Sequence, residues 1–353
     1  KNQVDSERML GLLSLERYRL TPRLDEAEII IVNTCAFIKP AREESRRIIA
    51  ELAERKDGCC RLLAMAGCLV QYYGSDIAER FPEVDLFIGV GEYDNLSGLL
   101  EEAFSAAPSQ RIVCRDRPAF SFNCGGGRRI SAPGHFAYLR IADGCDNRCS
   151  YCLIPSLRGP YQPRTVSSII KEARTLAAAG VRELILIAQD TSYFGAAGNE
   201  GGDLSLLLSR LSSIHELTWI RLLYAHPDHL DENILTVMDV SDRICNYLDL
   251  PIQHISDRIL ERMGRRSGSR KIEKLIDRAR ELVPGIALRT TVMTGFPGES
   301  REDFRQLEEF IRRQRFDHLG VFSYSVEPGT NAAGLDGRID PGLAAARRDR
   351  LME

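Results

Sequence analysis

The sequence contains no apolar run that approaches the roughly 18 residues needed to cross a membrane, and no amino-terminal segment of the signal-peptide type. It also lacks the basic excess that typifies a nucleic-acid-binding surface, because its formal net charge is −3. With ten cysteines in 353 residues, it is too cysteine-poor for a disulfide-dense secreted scaffold. These absences predict a reduced, cytoplasmic protein with no membrane-spanning segment, long enough for two domains.

Three of the cysteines occur close together, at Cys145, Cys149 and Cys152. A closed structural zinc site uses four protein ligands, and a cubane iron–sulfur cluster takes four thiolates. Three thiolates at this spacing would therefore hold a cubane with one iron left open for a further ligand. A zinc site completed by another residue and a non-catalytic iron–sulfur electron carrier are the alternative interpretations.

The first 110 residues predict an α/β domain. The run Ile29-Ile30-Ile31-Val32 is continuous and apolar, as is typical of a buried parallel strand. Pro40 suits the first turn of a helix that continues towards Lys56. Further strand candidates are residues 62–66 and 84–90. Strands that alternate with helices predict a doubly wound parallel sheet with helices on both faces, which we assign to residues 1–110.

Residues 111–134 differ from the segments on either side. They have weak periodicity and contain Pro118, Pro133 and the glycine triplet Gly125-Gly126-Gly127. This composition is typical of a linker or a surface loop. We therefore predict that the stretch separates two domains.

Residues 135–335 contain six strand candidates, and each but the last precedes a helix-length segment. Polar residues cluster in the loops after these strands, as expected of a barrel whose active site lies at the carboxyl ends of its strands. Six units predict a partial (β/α)6 TIM-like barrel rather than a complete eight-stranded one. The strand candidates begin near Phe136, Glu183, Trp219, Asn246, Ile286 and Leu319.

The run Cys145-Asp-Asn-Arg-Cys149-Ser-Tyr151-Cys152 resembles the CxxxCxxC signature of radical S-adenosylmethionine enzymes. The aromatic residue before the last cysteine, Tyr151, is part of the resemblance and is a candidate cofactor-binding residue. The resemblance implies that the three cysteines ligate a [4Fe–4S] cluster whose open iron binds S-adenosylmethionine. It also implies that cleavage of this ligand supplies a 5′-deoxyadenosyl radical.

Other candidate contacts to S-adenosylmethionine follow the barrel strands. Gln189 comes directly after the second strand, where the family carries an acidic residue that receives the methionine amino group. Gln253 follows the fourth strand, and Arg289 and Thr291 lie on the fifth, where they could reach the ribose and carboxylate. Each of these residues could equally be an ordinary barrel-lining residue. Residues 295–299, Gly-Phe-Pro-Gly-Glu, predict a tight turn that lets backbone approach a ligand, although a purely structural turn would look the same.

Cys35 and Cys68 follow two successive strand candidates of the first domain, at the edge where open α/β sheets bind their ligands. Isolated cysteines are often small buried core residues, so the residues alone leave both interpretations open. The sequences NTCAFI and AGCLVQ around them resemble two of the three cysteine motifs of the methylthiotransferase domain. The resemblance implies a second [4Fe–4S] cluster on Cys35, Cys68 and a third cysteine. The family has that cysteine directly before the position of Lys1, at the end of a first strand that the sequence also lacks.

Further stretches separate the branches of this methylthiotransferase family. Residues 1–7, 188–191, 222–227, 248–254 and 321–325 resemble the RimO branch, which modifies the β-carbon of an aspartate in a small-subunit ribosomal protein. The resemblance implies a radical methylthiotransferase that uses two molecules of S-adenosylmethionine and two clusters. A tRNA adenosine methylthiotransferase and, outside the enzyme class, a zinc-stabilised binding module or an electron carrier are the alternatives.

The resemblance also implies partners for the chain. These are the ribosomal protein substrate and a reductant such as flavodoxin or ferredoxin. No association with a membrane is expected. Family members continue into a small β-barrel TRAM domain, through which any RNA contact would occur. Residues 336–353 predict the helix that leads to this domain, and the sequence does not contain the domain itself.

Overall fold

The computed structural model describes residues 1–14, 18–105, 110–120, 127–131, 133–196 and 202–353. The chain divides into two compact units. The N-terminal unit comprises Lys1–Pro133 together with Asp143–Cys145 and Leu153–Gln162, and the remaining residues form the C-terminal unit. No helix among the described residues is long and apolar enough to cross a membrane.

The N-terminal unit contains a parallel four-stranded sheet whose spatial order follows the chain order. The predicted strands form because their apolar runs are buried, most completely in the second strand, where all six residues are buried. The last strand extends the sheet by pairing with the third. The strands are β1 (Ile29–Thr34), β2 (Leu62–Gly67), β3 (Leu86–Ile88) and β4 (Arg111–Val113).

Helices cover both faces of this sheet, as predicted. Leu63, Met65 and Phe87 point to one face, where they join a core with Ile49 of the second helix. Leu62, Ala64 and Leu86 alternate with them and pack on the other face against the first and fifth helices. The helices of the unit are α1 (Asn2–Ser14), α2 (Lys39–Ala53), α3 (Cys68–Tyr73), α4 (Ile77–Arg80), α5 (Leu96–Ser105) and α6 (Ile154–Arg158).

The prediction that residues 111–134 are a plain linker is wrong at its start. β4 occupies residues 111–113 and belongs to the N-terminal sheet, because its backbone pairs in parallel register with β3. Most of the glycine triplet, with residues 121–126, lies outside the described residues, as does residue 132. The N-terminal unit extends as far as Pro133.

The C-terminal unit contains the six predicted strands in one parallel sheet, ordered from the last strand to the first. The fourth begins two residues earlier than Asn246, because Ile244 is already buried against its neighbour Ile220. The strands are β5 (Phe136–Arg140), β8 (Glu183–Ile187), β9 (Trp219–Leu222), β10 (Ile244–Asp249), β11 (Ala287–Thr294) and β12 (His318–Ser323); β6 (Ala142–Asp143) and β7 (Gln162–Pro163) are two-residue strands.

Helices follow the strands of this sheet, and polar side chains cap most of their first turns. Thr165, Asp203, Asp231 and Asp340 each accept a backbone N–H, and Ser300 forms a reciprocal capping box with Asp303. Such caps contribute about 1 kcal/mol each to helix stability. The helices are α7 (Val166–Ala178), α8 (Leu204–Ser212), α9 (Glu232–Val240), α10 (Asp257–Arg262), α11 (Ser269–Leu282), α12 (Arg301–Gln314) and α13 (Pro341–Met352).

Strict alternation of burial along β11 separates its core residues from its more exposed ones. Leu288, Val292 and the two residues that share their face are buried, whereas Arg289 and Thr291 face the less buried side. Because successive side chains of a strand point to opposite faces, both candidate cofactor residues of this strand lie on one face of the sheet. The fold therefore leaves them available to a ligand.

Candidate functional site

The loop that carries Cys145, Cys149 and Cys152 begins shortly after β5, at the carboxyl end of the first strand of the six-stranded sheet. Cys145 is buried, and Cys149 and Cys152 are half-buried. The Cys152 N–H donates to the Cys149 carbonyl at 3.1 Å, and the Cys145 N–H donates to the Gly159 carbonyl at 3.1 Å. Backbone hydrogen bonds thus hold the loop in a defined turn with three thiols on it.

A polar cluster follows the neighbouring strands β8 and β9. The buried Asp190 accepts hydrogen bonds from the Asn147 side chain of the cysteine loop at 2.8 Å and pairs with His229 Nδ1 at 2.7 Å. Ser192 Oγ also donates to this carboxylate, at 2.7 Å. Burial opposes the charge of Asp190, but its hydrogen bonds and the nearby histidines hold its pKa below the usual value. Asp190 is therefore an ionised anchor for the cysteine loop.

His226 completes this cluster. One ring nitrogen of His226, one ring nitrogen of His229 and a carboxylate oxygen of Asp190 all lie within 4.8 Å of one another. The two imidazole rings stack with centroids 5.2 Å apart. Burial, followed by the positive charge of Arg265, lowers the pKa of His226 to about 3. The ring is consequently neutral at physiological pH, and its Nδ1 accepts the Asp228 N–H at 3.2 Å.

Two bulky residues at the carboxyl ends of adjacent strands adopt left-handed backbone conformations. Tyr224, after β9, has φ +62°, and Gln253, after β10, has φ +69°. A left-handed residue other than glycine costs roughly 1–2 kcal/mol and occurs preferentially at functional sites. The backbone of Gln253 is fixed in place by hydrogen bonds on both sides, to the Thr291 carbonyl and from the Met293 N–H. Gln253 is therefore placed as the sequence predicts, at the end of the fourth barrel strand.

Arg289 and Thr291 lie beside this position on β11. The Arg289 guanidinium donates to Asp249 at 3.0 Å, and that carboxylate is fully buried while the arginine side chain is 37% exposed. Asp249 therefore orients Arg289 and leaves part of its guanidinium accessible. Gln189 is half-buried directly after β8. Gln189 and Gln253 thus follow β8 and β10, whereas Arg289 and Thr291 lie within β11, level with the end of β10 and just beyond it.

The side chain of Tyr151 packs in an apolar cluster. Its ring meets Phe296 edge-on with centroids 6.4 Å apart, within a core that includes Ile259 and Met263. Burial and the neighbouring Cys149 raise the pKa of its phenol well above the usual value. The aromatic residue of the cysteine motif thus fixes the loop by packing, and its contact with a cofactor stays a prediction.

The glycine-rich turn at residues 295–299 has a structural partner. Gly295 has φ +74°, and a β-carbon there would lie 2.3 Å from the β-carbon of Ala344 in α13. Glu299 closes the turn by accepting the Gly295 N–H at 2.7 Å, and it pairs with the buried Arg347 at 2.6 Å. The close approach that glycine allows is therefore to α13, which corresponds to the structural interpretation of the motif.

Cys35 and Cys68 occupy equivalent positions in the N-terminal sheet. β1 and β2 pair in parallel up to Thr34 opposite Gly67, and each cysteine is the residue that directly follows its strand. The two thiols are close enough to influence each other electrostatically. The register thus brings together two cysteines that are 33 positions apart in the sequence, as the prediction required.

A buried charge cluster surrounds Cys68. Arg158 lies beside this cysteine and donates to Asp5 and to Asp143, each at 2.9 Å. All three charged side chains are at most 6% exposed. Burial raises the pKa of the Cys68 thiol, and Arg158 opposes that rise. Cys68 therefore lies beside a buried cluster of one positive and two negative groups.

Three thiols on one loop, with an ionised anchor beside it, fit a cluster of iron and sulfide, because thiolates are its ordinary ligands. Cys35 and Cys68 offer two such ligands. Three further cysteines with raised pKa values are shielded by burial: Cys60, Cys114 at about 11, and Cys245. Cys245 lines a cavity of about 440 Å³ with Trp219 and Ala287, at the amino ends of their strands and so away from the carboxyl-end residues. The remaining two cysteines, Cys59 and Cys124, match no motif.

Several residues of these sites are not apparent from the sequence. Arg158 and Arg265 are buried arginines in segments whose composition is typical of exposed loops and short helices. Asp5 reaches Arg158 across 153 positions, which no local pattern reveals. His226 and His229 could have been found, because a polar run directly after a barrel strand is the pattern used for Gln189 and Gln253.

Two family profiles match separate stretches of the chain. A profile of the Radical SAM superfamily matches residues 139–311. A profile described as "Uncharacterized protein family UPF0004" matches residues 1–89. The first match includes the cysteine loop and the strands from Leu139 to β11, and the second includes Cys35 and Cys68.

Curated relatives match along the entire chain. A protein of Geobacter sulfurreducens named ribosomal protein uS12 methylthiotransferase RimO is 48% identical over 354 residues. A protein of Trichlorobacter lovleyi with the same name is 46% identical over 354 residues. The alignments cover 100% of this chain and 79% and 78% of the respective relatives.

Solved structures support the fold. The radical S-adenosylmethionine methyltransferase TsrM from Kitasatospora setae superposes with a TM-score of 0.62 at 18% identity, over 89% of this chain and 64% of that one. The cobalamin-dependent S-adenosylmethionine radical enzyme OxsB superposes with a TM-score of 0.55 at 13% identity, over 92% and 47%. At such identities the similarity concerns the arrangement of strands and helices alone.

Proposed function

Because this chain belongs to the RimO family of methylthiotransferases within the radical S-adenosylmethionine superfamily, we propose that it adds a methylthio group to the β-carbon of an aspartate in ribosomal protein uS12. The curated relatives carry the name of that reaction, and the chain aligns with them from end to end. In the proposed reaction the methylthio group replaces one hydrogen on the substrate carbon.

The observation that carries the proposal is the position of the three-cysteine loop. It follows the first strand of a parallel six-stranded sheet, at the edge where the loops after β8, β9 and β10 also begin. Barrel enzymes build their active sites from such loops. An iron–sulfur electron carrier has no need of a six-unit barrel with strained residues at the carboxyl ends of its strands.

In the proposed enzyme, Cys145, Cys149 and Cys152 hold a [4Fe–4S] cluster that binds S-adenosylmethionine. When bound, these two groups supply the radical that removes hydrogen from an unactivated carbon, a step beyond any acidic or basic side chain. The protein's own contribution is to fix the thiols and to exclude water. The burial of Cys145 and the packing of Tyr151 against Phe296 serve both purposes.

We assign the binding of S-adenosylmethionine to residues at the ends of the barrel strands. Gln189 and Gln253 offer amide groups, and Arg289 offers a partly exposed guanidinium that Asp249 orients. Thr291 lies two residues further along the same face of β11. Tyr151 supports the loop whose cysteines would hold the cluster. Held geometry of this kind lowers the entropic cost of reaction.

We further propose that Cys35 and Cys68 hold a second cluster, which carries the sulfur to be transferred. The family resemblance implies a third thiolate from a position ahead of Lys1. The adjacent register of β1 and β2 and the buried charge of Arg158 support this assignment. A reductant such as flavodoxin or ferredoxin would supply electrons in the cytoplasm. A TRAM domain would provide any contact with RNA.

Anaerobic reconstitution of the full-length protein tests the proposal. We expect iron and sulfide to be incorporated and 5′-deoxyadenosine to form from S-adenosylmethionine under strong reductant. A peptide spanning the uS12 aspartate loop should gain the mass of one methylthio group in place of one hydrogen. Cys145→Ala should abolish both products, whereas the control Cys245→Ala, at the amino ends of the strands, should retain them.

The alternatives predict other results. Methylthiolation of tRNA but not of the peptide would assign the chain to nucleic-acid modification. A cluster that never cleaves S-adenosylmethionine would favour the electron carrier. Stoichiometric zinc in anaerobically purified protein, with no iron, would favour the binding module.

A further inference from the structure

The segment that follows α10 contacts the main chain of the cysteine loop. The Ser150 N–H donates to the Met263 carbonyl at 2.9 Å, and Ser150 Oγ donates to the Arg262 carbonyl at 2.8 Å. On its other side, the Ser150 carbonyl accepts the Ala332 N–H at 2.7 Å. Residues 262–265 therefore form a cradle for the part of the loop between Cys149 and Cys152.

Gly264 allows this close approach. Its φ is +72°, and a β-carbon at this position would lie 2.6 Å from the Arg148 carbonyl oxygen. A contact this short requires backbone to move, since both atoms belong to or are fixed by the main chain. Glycine at position 264 is thus the residue that lets the cradle meet the loop directly.

Arg265, the next residue, is 8% exposed, and its side chain lies close enough to Cys149 and Tyr151 to interact with both. Its guanidinium also donates to the Pro251 carbonyl at 2.6 Å. Burial opposes the charge of Arg265, but Tyr151 and Cys149 beside it raise its pKa above the usual value. Asp228 is a further acidic neighbour, and it already accepts the N–H groups of Arg266 and Ser267.

A buried guanidinium is costly unless acceptors or negative charge surround it. Arg265 hydrogen-bonds a neutral carbonyl and has as a neighbour a thiol that becomes anionic when it ligates metal. The geometry therefore suits a loop whose Cys149 is a thiolate.

We propose that Arg265 is a positioning residue that holds Cys149 and places one buried positive charge beside the cluster of the cysteine loop. This inference rests on the proposed function, since it needs that cluster. A positive charge stabilises the reduced, more negative form of a cluster more than the oxidised form. Charges and hydrogen bonds around cluster sulfurs are known determinants of reduction potential. Arg265 thus makes the cluster easier to reduce.

The test compares four reconstituted proteins by iron and sulfide content, thermal midpoint and a redox titration followed by electron paramagnetic resonance. They are the unmodified protein, Arg265→Gln, Arg265→Lys and the control Arg164→Gln. Arg164 is 4% exposed and pairs with Glu172 at 2.5 Å, so it matches Arg265 in burial and charge. Variants that remove Cys35 and Cys68 keep any second cluster from contributing to the signal.

We expect Arg265→Gln to lower the equilibrium constant for reduction of the cluster about tenfold. This corresponds to a reduction potential that is more negative by about 59 mV for a one-electron couple. Arg265→Lys keeps the charge and should restore most of that difference, while Arg164→Gln should leave the potential unchanged. A folded Arg265→Gln protein that binds less iron than the Arg164→Gln control also supports the positioning role.

Equal potentials for Arg265→Gln and the unmodified protein, with equal iron content, would overturn the inference. A shift in Arg265→Lys as large as in Arg265→Gln would also overturn it, because the charge would then not be the cause. If Arg265→Gln does not fold, Arg265→Lys alone decides. A tenfold lower equilibrium constant for cluster reduction in Arg265→Lys would then count against the proposal. An unmodified protein that binds no cluster overturns the proposed function together with this inference.

Discussion

The loop that carries Cys145, Cys149 and Cys152 is held by several separate contacts, whereas Cys68 in the N-terminal sheet meets one arginine that also binds two carboxylates. Asn147 and Ser150 of the loop bond to Asp190 and to the Arg262 carbonyl, and Arg265 lies beside Cys149. At the second site, Arg158 alone joins Cys68, Asp5 and Asp143. Anchoring is distributed at the first site and concentrated at the second.

This difference follows from how each set of cysteines is assembled. The first set is local in sequence, so short contacts along one loop suffice to orient it. The second set comes from two strands, and its geometry is inherited from the β1–β2 register. A single multidentate arginine can then supply charge to Cys68 without having to shape the backbone. We therefore expect single substitutions to have larger effects at the Arg158 cluster than at the cysteine loop.

The largest effect should come from Arg158→Met. Its two carboxylate partners are 1% and 0% exposed and would lose their guanidinium, and breaking a buried ion pair from one side costs about 3–5 kcal/mol. Denaturant unfolding measures the loss. The control is Arg111→Met, which removes an exposed pair with Glu102 and should cost at most about 1 kcal/mol. Equal losses would contradict concentrated anchoring.

Gly264→Ala should have the next largest effect, because an added β-carbon prevents the close contact between the cradle and the cysteine loop. Left-handed alanine and the clash with the Arg148 carbonyl together should cost about 2–3 kcal/mol and reduce iron retention. The matched control is Gly285→Ala, with φ +74° and no atom within 4 Å of its added β-carbon. That variant should cost about 1 kcal/mol and keep its iron. Iron lost equally from both would argue that the clash is unimportant.

Acid should destabilise the protein through a buried histidine of the C-terminal unit, His254. Burial lowers the pKa of His254 from 6.5 to about 4, so folding favours its neutral form. Stability from this group is complete above pH 6.5 and is lost as the pH falls towards 4. The slope should be about 1.4 kcal/mol per pH unit. His254→Asn should flatten the dependence of the unfolding free energy on pH over that interval, compared with the unmodified protein.

The strands of both sheets could be predicted from the sequence, and one short strand could not. The six barrel strands and β1 to β3 are apolar runs bounded by polar or turn residues, which is a local signal. β4 has three residues in a stretch rich in proline and glycine, so its pairing with β3 is a tertiary effect. The start of β10 was displaced for a similar reason, since Ile244 pairs with Ile220.

The cysteines could likewise be identified from spacing and family resemblance, but their anchors could not. An arginine is predicted to be exposed unless its partners are known, and the partners of Arg158 lie far from it in sequence. Arg265 lies in a polar, glycine-containing segment that reads as a surface turn. Its burial arises because Gly264 lets that segment meet the Arg148 carbonyl. Steric and charge complementarity of this kind exists only in the folded chain.

The smallest effect should come from Asn147→Ala, which removes one of the distributed anchors. The lost hydrogen bond to Asp190, 2.8 Å long, should cost about 1 kcal/mol, because Ser192, Tyr193 and His229 still satisfy that carboxylate. Unfolding free energy and the rate of iron loss to a chelator measure the change, with Asn246→Ala as a more exposed control. The remaining contacts of Ser150 and Arg265 should hold the loop, so iron loss should be only slightly faster than in the control. Rapid iron loss would mean that the loop depends on one contact, as Cys68 does on Arg158, and the contrast between the two sites would disappear.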